Sequence, residues 1–259
     1  MNQILVTEKL YITPELKRKK KIYKIYFIIS IFVVCILTSL YIYAEYDRNK
    51  NAAASEELLA DMDQTLLEKK EEDTTIAKDD ILLVVLDNQE ESQEETIQPV
   101  EEEKPNVASA NEHAEWKTNA GGYKYKIIST VEIPKINVKY TVLQGETGSL
   151  EETESLLKSS PVKYHGCDPN EVGNFCIVGH NYRNSKFFSK VPNLVVGDTV
   201  KLTDLTGRTI NYEVYDKHTV DPDDTSDTTQ LTGGRKELTL ITCTNDSKLR
   251  VIVRCKEVK

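Results

Sequence analysis

The stretch LTLITCTNDSKLRVIVRC, Leu238–Cys255, contains two short apolar segments separated by a polar turn. The first segment, Leu238–Thr242, is followed by Cys243, and the second carries Arg250 and Arg254. Segments of this length and composition, separated by Asn and Asp, are typical of two neighbouring strands. A buried hairpin has no need of a thiol at the end of one strand and two guanidinium groups in the next. This stretch is therefore a candidate reactive site.

Similar β-rich segments recur from Gly121 to the C-terminus, with Gly, Pro, Asn and Asp between them. They read YKIISTVEIP, KYTVLQG, NFCIVGH, DTVKLTDLTG, TINYEVYDKHTV, ELTLITC and LRVIVRC. Gly148–Ser160 and Asn184–Pro192 favour short helices between strands. Seven or eight short strands in about 140 residues predict an all-β fold, a small closed barrel.

Residues 25–44, IYFIISIFVVCILTSLYIYA, carry no formal charge and have the length of a transmembrane helix. Tyrosines lie near both ends, where aromatic rings favour the membrane interface. A basic run precedes the segment, and Glu45 and Asp47 follow it. The positive-inside rule predicts a single-pass protein of the cell membrane, with residues 1–24 cytoplasmic and the remainder extracellular. A cleaved signal peptide is the alternative, but the apolar segment is long and no small-x-small site follows closely.

Residues 45–116 separate this segment from the β-rich domain, 117–259. Residues 51–116 hold twenty Asp or Glu and four Lys or Arg, so the net charge of −9 arises there. We expect an acidic extracellular linker that is mostly disordered. Its two apolar patches, within Glu56–Lys70 and Ile81–Leu86, are interpreted as a transiently helical spacer or as a partner-binding or self-associating segment. The domain itself is nearly balanced in charge, and no basic face argues for nucleic acid.

A cysteine nucleophile needs thiolate character and therefore a nearby cation or base. Cys243 has the best context, because it ends a strand and Arg250 returns on the next one. His180 also ends a strand, after a glycine, in CIVGHNYR. His218, within YDKHTV, is the alternative base. Arg254 is the alternative cation, because residues two or four apart share one face of a strand.

The segment TLITC, followed by LRVIVR and preceded about sixty residues earlier by GHN, resembles the signature of the sortases. These are membrane-anchored cysteine transpeptidases of Gram-positive cell surfaces. The resemblance covers Gly121–Lys259 and implies a closed eight-stranded sortase-type β-barrel. It implies Cys243 as nucleophile, His180 as acid/base and Arg250 as the oxyanion-stabilising or substrate-positioning cation. In the family, an arginine precedes an apolar triplet and a second arginine. LRVIVR matches this pattern with Arg250 as the first arginine. The subclass resembled is class D or the housekeeping class A.

The resemblance also implies a reaction. The enzyme would cleave an LPxTG-like sorting signal after Thr through a thioacyl-enzyme. It would then transfer the surface protein to an amine of a cell-wall precursor or of peptidoglycan. The hydroxyl of Thr242 can act as a donor beside the substrate. The loop Asp221–Gly234 is expected to form a mobile wall of the groove, with Asp221, Asp224 and Thr232 as candidate substrate contacts. The alternatives are a non-enzymatic surface binding or scaffold protein and a hydrolytic cysteine protease.

No cofactor is expected. Some sortases bind calcium through acids near the histidine and cysteine strands, and the candidate acids here are Asp168, Glu171, Asp223, Asp224 and Asp227. Gln230 stands where the calcium-activated members have an acid, so we expect no required metal. Cys167 and Cys176 flank an eight-residue loop and could form a disulfide, but free thiols are favoured.

Overall fold

The computed structural model describes residues 14–79, 111–112, 114–183 and 185–258. The apolar patch Ile81–Leu86 lies outside the described residues. The chain divides into two compact units, Met1–Lys50 and Asn51–Lys259, and each is described by itself.

A single long helix, α1 (Pro14–Asp79), supplies the described part of the first unit and continues into the second. Its apolar window has a mean hydropathy of 2.6, and none of that window is buried. The helix is long and apolar enough to cross a membrane, which is consistent with the membrane anchor predicted at residues 25–44. Its orientation and the predicted domain boundaries stay predictions.

The second unit is built on nine strands in the described residues. They are β1 (Lys117–Thr118), β2 (Lys124–Ile133), β3 (Val138–Gly145), β4 (Val162–His165), β5 (Gly173–Val178), β6 (Thr199–Asp204), β7 (Thr209–Val220), β8 (Lys236–Cys243) and β9 (Arg250–Glu257). The sheet order is β1-β2-β3-β4-β5-β8-β9-β7-β6, and β6 also pairs with β2. This last pairing closes β2 to β9 into an eight-stranded barrel, as predicted, and β1 is a two-residue extension at its side.

The interior of the barrel is filled by alternate residues of its strands. On β8, Leu238 and Leu240 are fully buried in the main core, and on β9 Val253 and Cys255 are buried beside them. Residues two apart lie on one face of a strand, so Cys243 lies on the face opposite to these core leucines. Because β5 runs parallel to β8, and β9 antiparallel to β8, the carboxyl ends of β5 and β8 meet the amino end of β9.

The helix predicted within Gly148–Ser160 is present as α2 (Leu150–Leu156). The Ser149 hydroxyl accepts a hydrogen bond from the Glu152 backbone N–H. The buried Glu152 carboxylate accepts hydrogen bonds from the backbone N–H groups of residues 146 to 148. This capping arrangement fixes the start of α2 against the end of β3.

The helix predicted over Asn184–Pro192 is wrong. The described residues there form turns, and the one regular element is the 3-10 helix Val191–Asn193. Phe187 adopts a positive φ of 50°, which a right-handed helix excludes. The local hydrogen bonds that hold this turn are described with the site.

Residues 51–67 of α1 pack on the barrel, whereas the sequence predicts a mostly disordered linker over 45–116. Leu58 and Met62 are 9% and 2% exposed and share a buried cluster with residues of the barrel and of α2. Leu66 packs on the same cluster, so the stripe follows helical spacing. This apolar patch has its partner within its own chain, which the sequence pattern does not reveal. For residues 80–110 the linker stays a prediction.

Candidate active site

Cys243 and Arg250 are direct partners in the antiparallel pairing of β8 with β9. The Cβ atoms of such a pair lie about 4.5–5.5 Å apart, so the side chains of Cys243 and Arg250 start as neighbours on one face of the sheet. The Arg250 Nη1 donates to the Leu249 carbonyl at 3.4 Å. The parallel pairing of β5 with β8 ends at Val178 and Ile241, and the Gly179 N–H donates to the Ile241 carbonyl at 3.0 Å. His180 follows, at the level of Cys243 on β8. The barrel register thus brings together the three residues that the sequence predicts.

A groove with a cavity volume of about 260 Å³ contains all three residues. Its apolar base includes Val178, Ile241 and Ile252. One wall is α2 with the residue after it, through Leu150, Thr153, Glu154 and Leu157. The opposite wall is the loop between β7 and β8, through Pro222, Asp224, Asp227 and Thr228. A thiol, an imidazole and a guanidinium therefore lie in one groove with an apolar base.

The side chain of Thr242 connects the ends of β5 and β8. Its buried hydroxyl donates to the Gly179 carbonyl at 2.8 Å, so the predicted substrate donor already has a partner in the chain. Gly179 itself is required by packing, because a Cβ atom there would lie 2.5 Å from the Phe188 ring. The close packing of the Phe188 ring on the residue that follows β5 depends on this glycine.

Asn181 links the histidine segment to Cys243, a contact that the sequence reasoning missed. Its side-chain Nδ2 donates to the Cys243 carbonyl at 2.9 Å and to Asn245 Oδ1 at 3.1 Å. The sequence signal was available, because Asn181 is the third residue of GHN. The bond fixes the end of β8 relative to the residue after His180.

Aromatic rings hold the segment that follows His180. The His180 and Tyr182 ring centroids are 5.0 Å apart, and those of Tyr182 and Phe187 are 5.4 Å apart. Phe187 stacks on Tyr140 of β3 at 5.1 Å. The Phe187 N–H donates to the Tyr140 hydroxyl at 2.9 Å, which anchors the residue in its positive-φ conformation. The imidazole is thus connected to the barrel wall through two intermediate rings.

Burial lowers the pKa of His180, and Lys158 lowers it further, while the negative charge of Glu154 acts in the opposite direction. The imidazole therefore favours the neutral form at neutral pH, in which one nitrogen can accept a proton. A group of this kind can act as base in one step and as acid in the next.

The two arginines of β9 have different surroundings. Arg254 donates from Nη2 to Glu237 Oε2 at 3.0 Å, and its Nη1 lies 3.7 Å from Asp227 Oδ1. Arg250 faces Cys243 and lines the groove. The geometry therefore favours Arg250 as the cation of the site, and Arg254 as part of an ion-pair network beneath the loop.

His218 belongs to the same network. Its Nε2 lies 2.8 Å from Asp227 Oδ2, and its Nδ1 lies 3.0 Å from Asp216 Oδ2. Although burial acts against it, these two carboxylates raise the pKa of His218. The imidazole holds the loop to β7, and it is not among the residues that line the groove. In the described residues His180, and not His218, is the histidine of the groove.

The loop between β7 and β8 is a wall of the groove, and hydrogen bonds connect it to Asn174 of β5. That the loop is mobile stays a prediction. The Asn174 Nδ2 donates to the Asp227 carbonyl at 2.8 Å. The Asn174 N–H donates to Gln230 Oε1 at 3.0 Å, and Gln230 Nε2 donates back to the Asn174 carbonyl at 2.9 Å. The glutamine that stands in place of an acid thus has a structural function.

Of the four predicted substrate contacts, Asp224 and Thr242 line the groove. Asp221 does not belong to the lining of this cavity, and neither does Thr232, whose buried hydroxyl donates to the Arg235 carbonyl at 2.7 Å. The assignment of Asp221 and Thr232 as substrate contacts therefore lacks support from the cavity.

The remaining described thiols of the barrel lie outside the groove. Cys167, Cys176 and Cys255 are free. Burial raises the pKa of Cys167 to about 11 and that of Cys176 to about 12. The fully buried Cys255 also has a raised pKa, because burial disfavours the thiolate. Cys243 alone among the described barrel thiols lines the groove beside a histidine and an arginine.

Three of the acids considered as calcium ligands have basic partners. Asp168 accepts a hydrogen bond from Lys163 Nζ at 3.0 Å, and Glu171 accepts one from Arg208 Nη2 at 2.8 Å. Asp227 is held by His218 and Arg254, as described above. That no metal is required stays a prediction.

Comparison with known proteins adds an independent observation. A family model described as a sortase domain matches residues 131–258. A sortase D5 transpeptidase of Clostridium perfringens is 30% identical, with 59% of this chain and 87% of that one covered and a TM-score of 0.46. Sortase C1 of Streptococcus agalactiae is 29% identical, covering 51% and 67%, with a TM-score of 0.44. A sortase C of C. perfringens, solved with the C-terminal cell wall sorting motif, is 21% identical, covering 52% and 71%, with a TM-score of 0.43. No curated protein matches the chain.

The sortase-domain match and the 30% identity to a relative that this chain covers over 87% of its length identify the family. The chain belongs to the sortases, a family of cysteine transpeptidases.

Proposed function

We propose that this sortase cleaves an LPxTG-like sorting signal after Thr and joins the new carboxyl end to a cell-wall amine. The observation that carries the proposal is the register pairing of Cys243 with Arg250 in the groove that also holds His180. The other described thiols of the barrel, Cys167, Cys176 and Cys255, do not line this groove. The class D-like or class A-like assignment stays a prediction.

The first half of the reaction is an acyl transfer to sulfur. Neutral His180 takes the proton of the Cys243 thiol, and the resulting thiolate attacks the carbonyl carbon of the scissile Thr–Gly bond, so that the carbonyl oxygen becomes an oxyanion. Arg250 lies where it can stabilise this charge, together with backbone N–H groups. When the C–N bond breaks, protonated His180 gives its proton to the leaving amine, and a thioester remains on Cys243.

The second half reverses these roles. Neutral His180 takes a proton from the incoming amine, which attacks the thioester carbon. Collapse of the second tetrahedral intermediate forms the new amide bond and releases the Cys243 thiolate. If water attacked in place of the amine, the same site would act as a hydrolytic thiol protease. The acceptor therefore decides between transpeptidation and hydrolysis.

The apolar lining of the groove favours the binding of a peptide with apolar side chains. Val178, Ile241 and Ile252 offer an apolar base beside the reacting groups. Leu157 adds to this surface from the end of α2. The sorting motif bound to the related C. perfringens sortase C indicates the kind of substrate, and we extend it to this chain as a proposal.

The proposed location follows from the anchor and its flanking charges. The apolar helix would hold the enzyme in the cell membrane, with the basic N-terminus in the cytoplasm and the barrel outside. There the barrel meets surface proteins as they are exported and the amine of a cell-wall precursor or of peptidoglycan. Protease treatment of intact protoplasts should remove the barrel and spare the N-terminus, and protection of the barrel would contradict this orientation.

The test of the function is a product assay on the full chain in detergent. LPxTG-like peptides are incubated with a panel of amine acceptors, and products are identified by mass. Transfer product that depends on both peptide and amine supports the proposal, and products of hydrolysis alone favour the protease. A chain with no turnover of any peptide, and no preferential labelling of Cys243 by a thiol probe, would favour a binding or scaffold protein. Cys167→Ala is the matched control for Cys243→Ala, because Cys167 is a half-buried thiol outside the groove.

A further inference from the structure

One buried apolar cluster connects the segment of α1 that packs on the barrel with the lining of the groove. The cluster contains Leu58 and Met62 of α1 and Leu157 after α2, with Val178 of β5 packed against it. Leu157 and Val178 also line the groove. Two residues thus belong both to the surface that would contact the substrate and to the apolar layer closed by the linker helix.

The other members of the cluster show what the helix covers. They are Ile127, Leu143, Leu156, Val162 and Leu205, all between 0% and 8% exposed. Without the helix, apolar surface of this layer would meet water, which is unfavourable. Met62 is 2% exposed, so it is fully enclosed in the layer and does not merely rest on it.

Ion pairs flank this stripe of the helix. Asp61 lies 2.6 Å from Lys117 Nζ of β1, and Asp63 lies 3.0 Å from Lys139 Nζ of β3. These pairs are partly exposed, so each contributes little to stability. They do fix the rotation of the helix, because each joins a different strand.

The helix α2 has little support of its own. It is seven residues long, which is too short to be stable in isolation. Its start is capped by Ser149 and Glu152, while its end is held by Leu156 and Leu157 in the shared cluster. The position of this groove wall therefore depends on what packs behind Leu156 and Leu157.

We propose that residues 51–67 of α1 are a positioning element of the active site, which holds the α2 wall and the base of the peptide groove in place from behind. The kinetic test of this inference rests on the proposed function, whereas the hydrogen-exchange test does not. The element acts through Leu157 and Val178 and touches no reacting atom. The functional catalytic unit accordingly begins at Asn51 and not at residue 117.

The test compares four variants of the full chain in detergent. Leu58→Ala and Met62→Ala remove buried side chains, Met62→Leu keeps the volume, and Leu67→Ala removes a side chain that is 64% exposed. Amide hydrogen exchange is measured in α2 and, as an internal reference, in β6 and β7. Steady-state kinetics are then measured with the LPxTG-like peptide that the unmodified chain turns over fastest.

We expect Leu58→Ala and Met62→Ala to speed exchange in α2 selectively and to raise KM for the peptide by about three- to tenfold with little change in kcat. Met62→Leu and Leu67→Ala should behave like the unmodified chain. Exchange that rises equally in α2 and in β6 and β7 would mean only a general loss of stability and would overturn the proposal. So would unchanged exchange and KM in Met62→Ala.

The two proposals fail in different ways. If no sorting peptide is turned over by the unmodified chain, the proposed function fails, while the exchange comparison still decides whether the linker helix supports α2. If peptides are turned over but the variants leave α2 unchanged, the function stands and the positioning role is rejected.

Discussion

Cys243 and Arg250 face each other across β8 and β9, the last residue of one strand opposite the first residue of the next. Only six residues separate them in sequence, so a short hairpin turn sets their pairing. His180, in contrast, is brought to the site by the parallel pairing of β5 with β8. Cys243 and Arg250 are thus placed locally, whereas His180 is placed by the closed barrel.

The first prediction concerns the charge of Arg250. Replacing it by Ala removes the cation that would stabilise the oxyanion, and we expect kcat/KM for the peptide to fall by about 10²–10³-fold. Arg250→Lys keeps the charge but loses the planar fork of donors, so it should recover only part of the loss. Arg254→Lys is the control, and an equal loss there would mean that the structure has assigned the wrong arginine.

A second prediction concerns the charges around His180. Glu154 raises the pKa of His180 and Lys158 lowers it. Glu154→Gln should therefore lower this pKa further, and Lys158→Gln should raise it. NMR of the imidazole protons gives the pKa directly, and the limb of the pH–rate profile that His180 controls should move in the same direction in each variant. Shifts of the same sign in both variants would contradict the electrostatic account.

The ring contacts behind His180 give a third prediction. Tyr140→Phe keeps the stack on Phe187 but removes the hydroxyl that accepts the Phe187 N–H, and an unpaired N–H costs about 1–3 kcal/mol when buried. We expect kcat to fall while KM changes little, because the imidazole and not the peptide surface is disturbed. Tyr140→Leu should be worse, and Tyr123→Phe should be neutral. A change in KM alone would place Tyr140 with the substrate surface.

The fourth prediction is a pH dependence of the loop anchor. The carboxylates of Asp227 and Asp216 raise the pKa of His218, with Asp224 and Arg254 as the other nearby charges. A raised pKa in the folded state means that the stabilisation is fully present below the unfolded value of about 6.5 and is lost as pH rises through the folded pKa.

We therefore expect the Tm difference between the unmodified chain and His218→Gln to be largest in mildly acidic solution and to shrink towards alkaline pH. His165→Gln serves as the control, since His165 lies on β4, whereas the imidazole hydrogen-bonded to Asp227 is that of His218. A Tm difference that grows with pH would have the wrong sign and would reject the anchor.

The sequence predicted much of the barrel and of the site because both depend on local signals. Alternating and β-branched segments mark the strands, and TLITC with LRVIVR marks the nucleophile strand and its neighbour. The pairing of β5 with β8 was not readable, because more than fifty residues separate these strands. The contacts of Asn181 and Gln230 depend on that pairing, and so they were missed as well.

The other differences arise where tertiary contacts override local pattern. The sequence around Phe187 has helical character, but its N–H bonds to Tyr140 and its φ is positive. Charge runs around Leu58 and Met62 predict disorder, but the apolar stripe between them covers one side of the barrel. In both cases the deciding partner lies far away in sequence, beyond the reach of composition or periodicity.

The most direct test of the account is the covalent intermediate on Cys243. The full chain is mixed with an LPxTG-like peptide in the absence of an amine, quenched in acid, and analysed by peptide mapping and mass spectrometry. The account predicts an acyl group ending in Thr, attached as a thioester to Cys243, which an added amine converts to the transfer product. An acyl group on any other residue, or turnover that persists in Cys243→Ala, would contradict it.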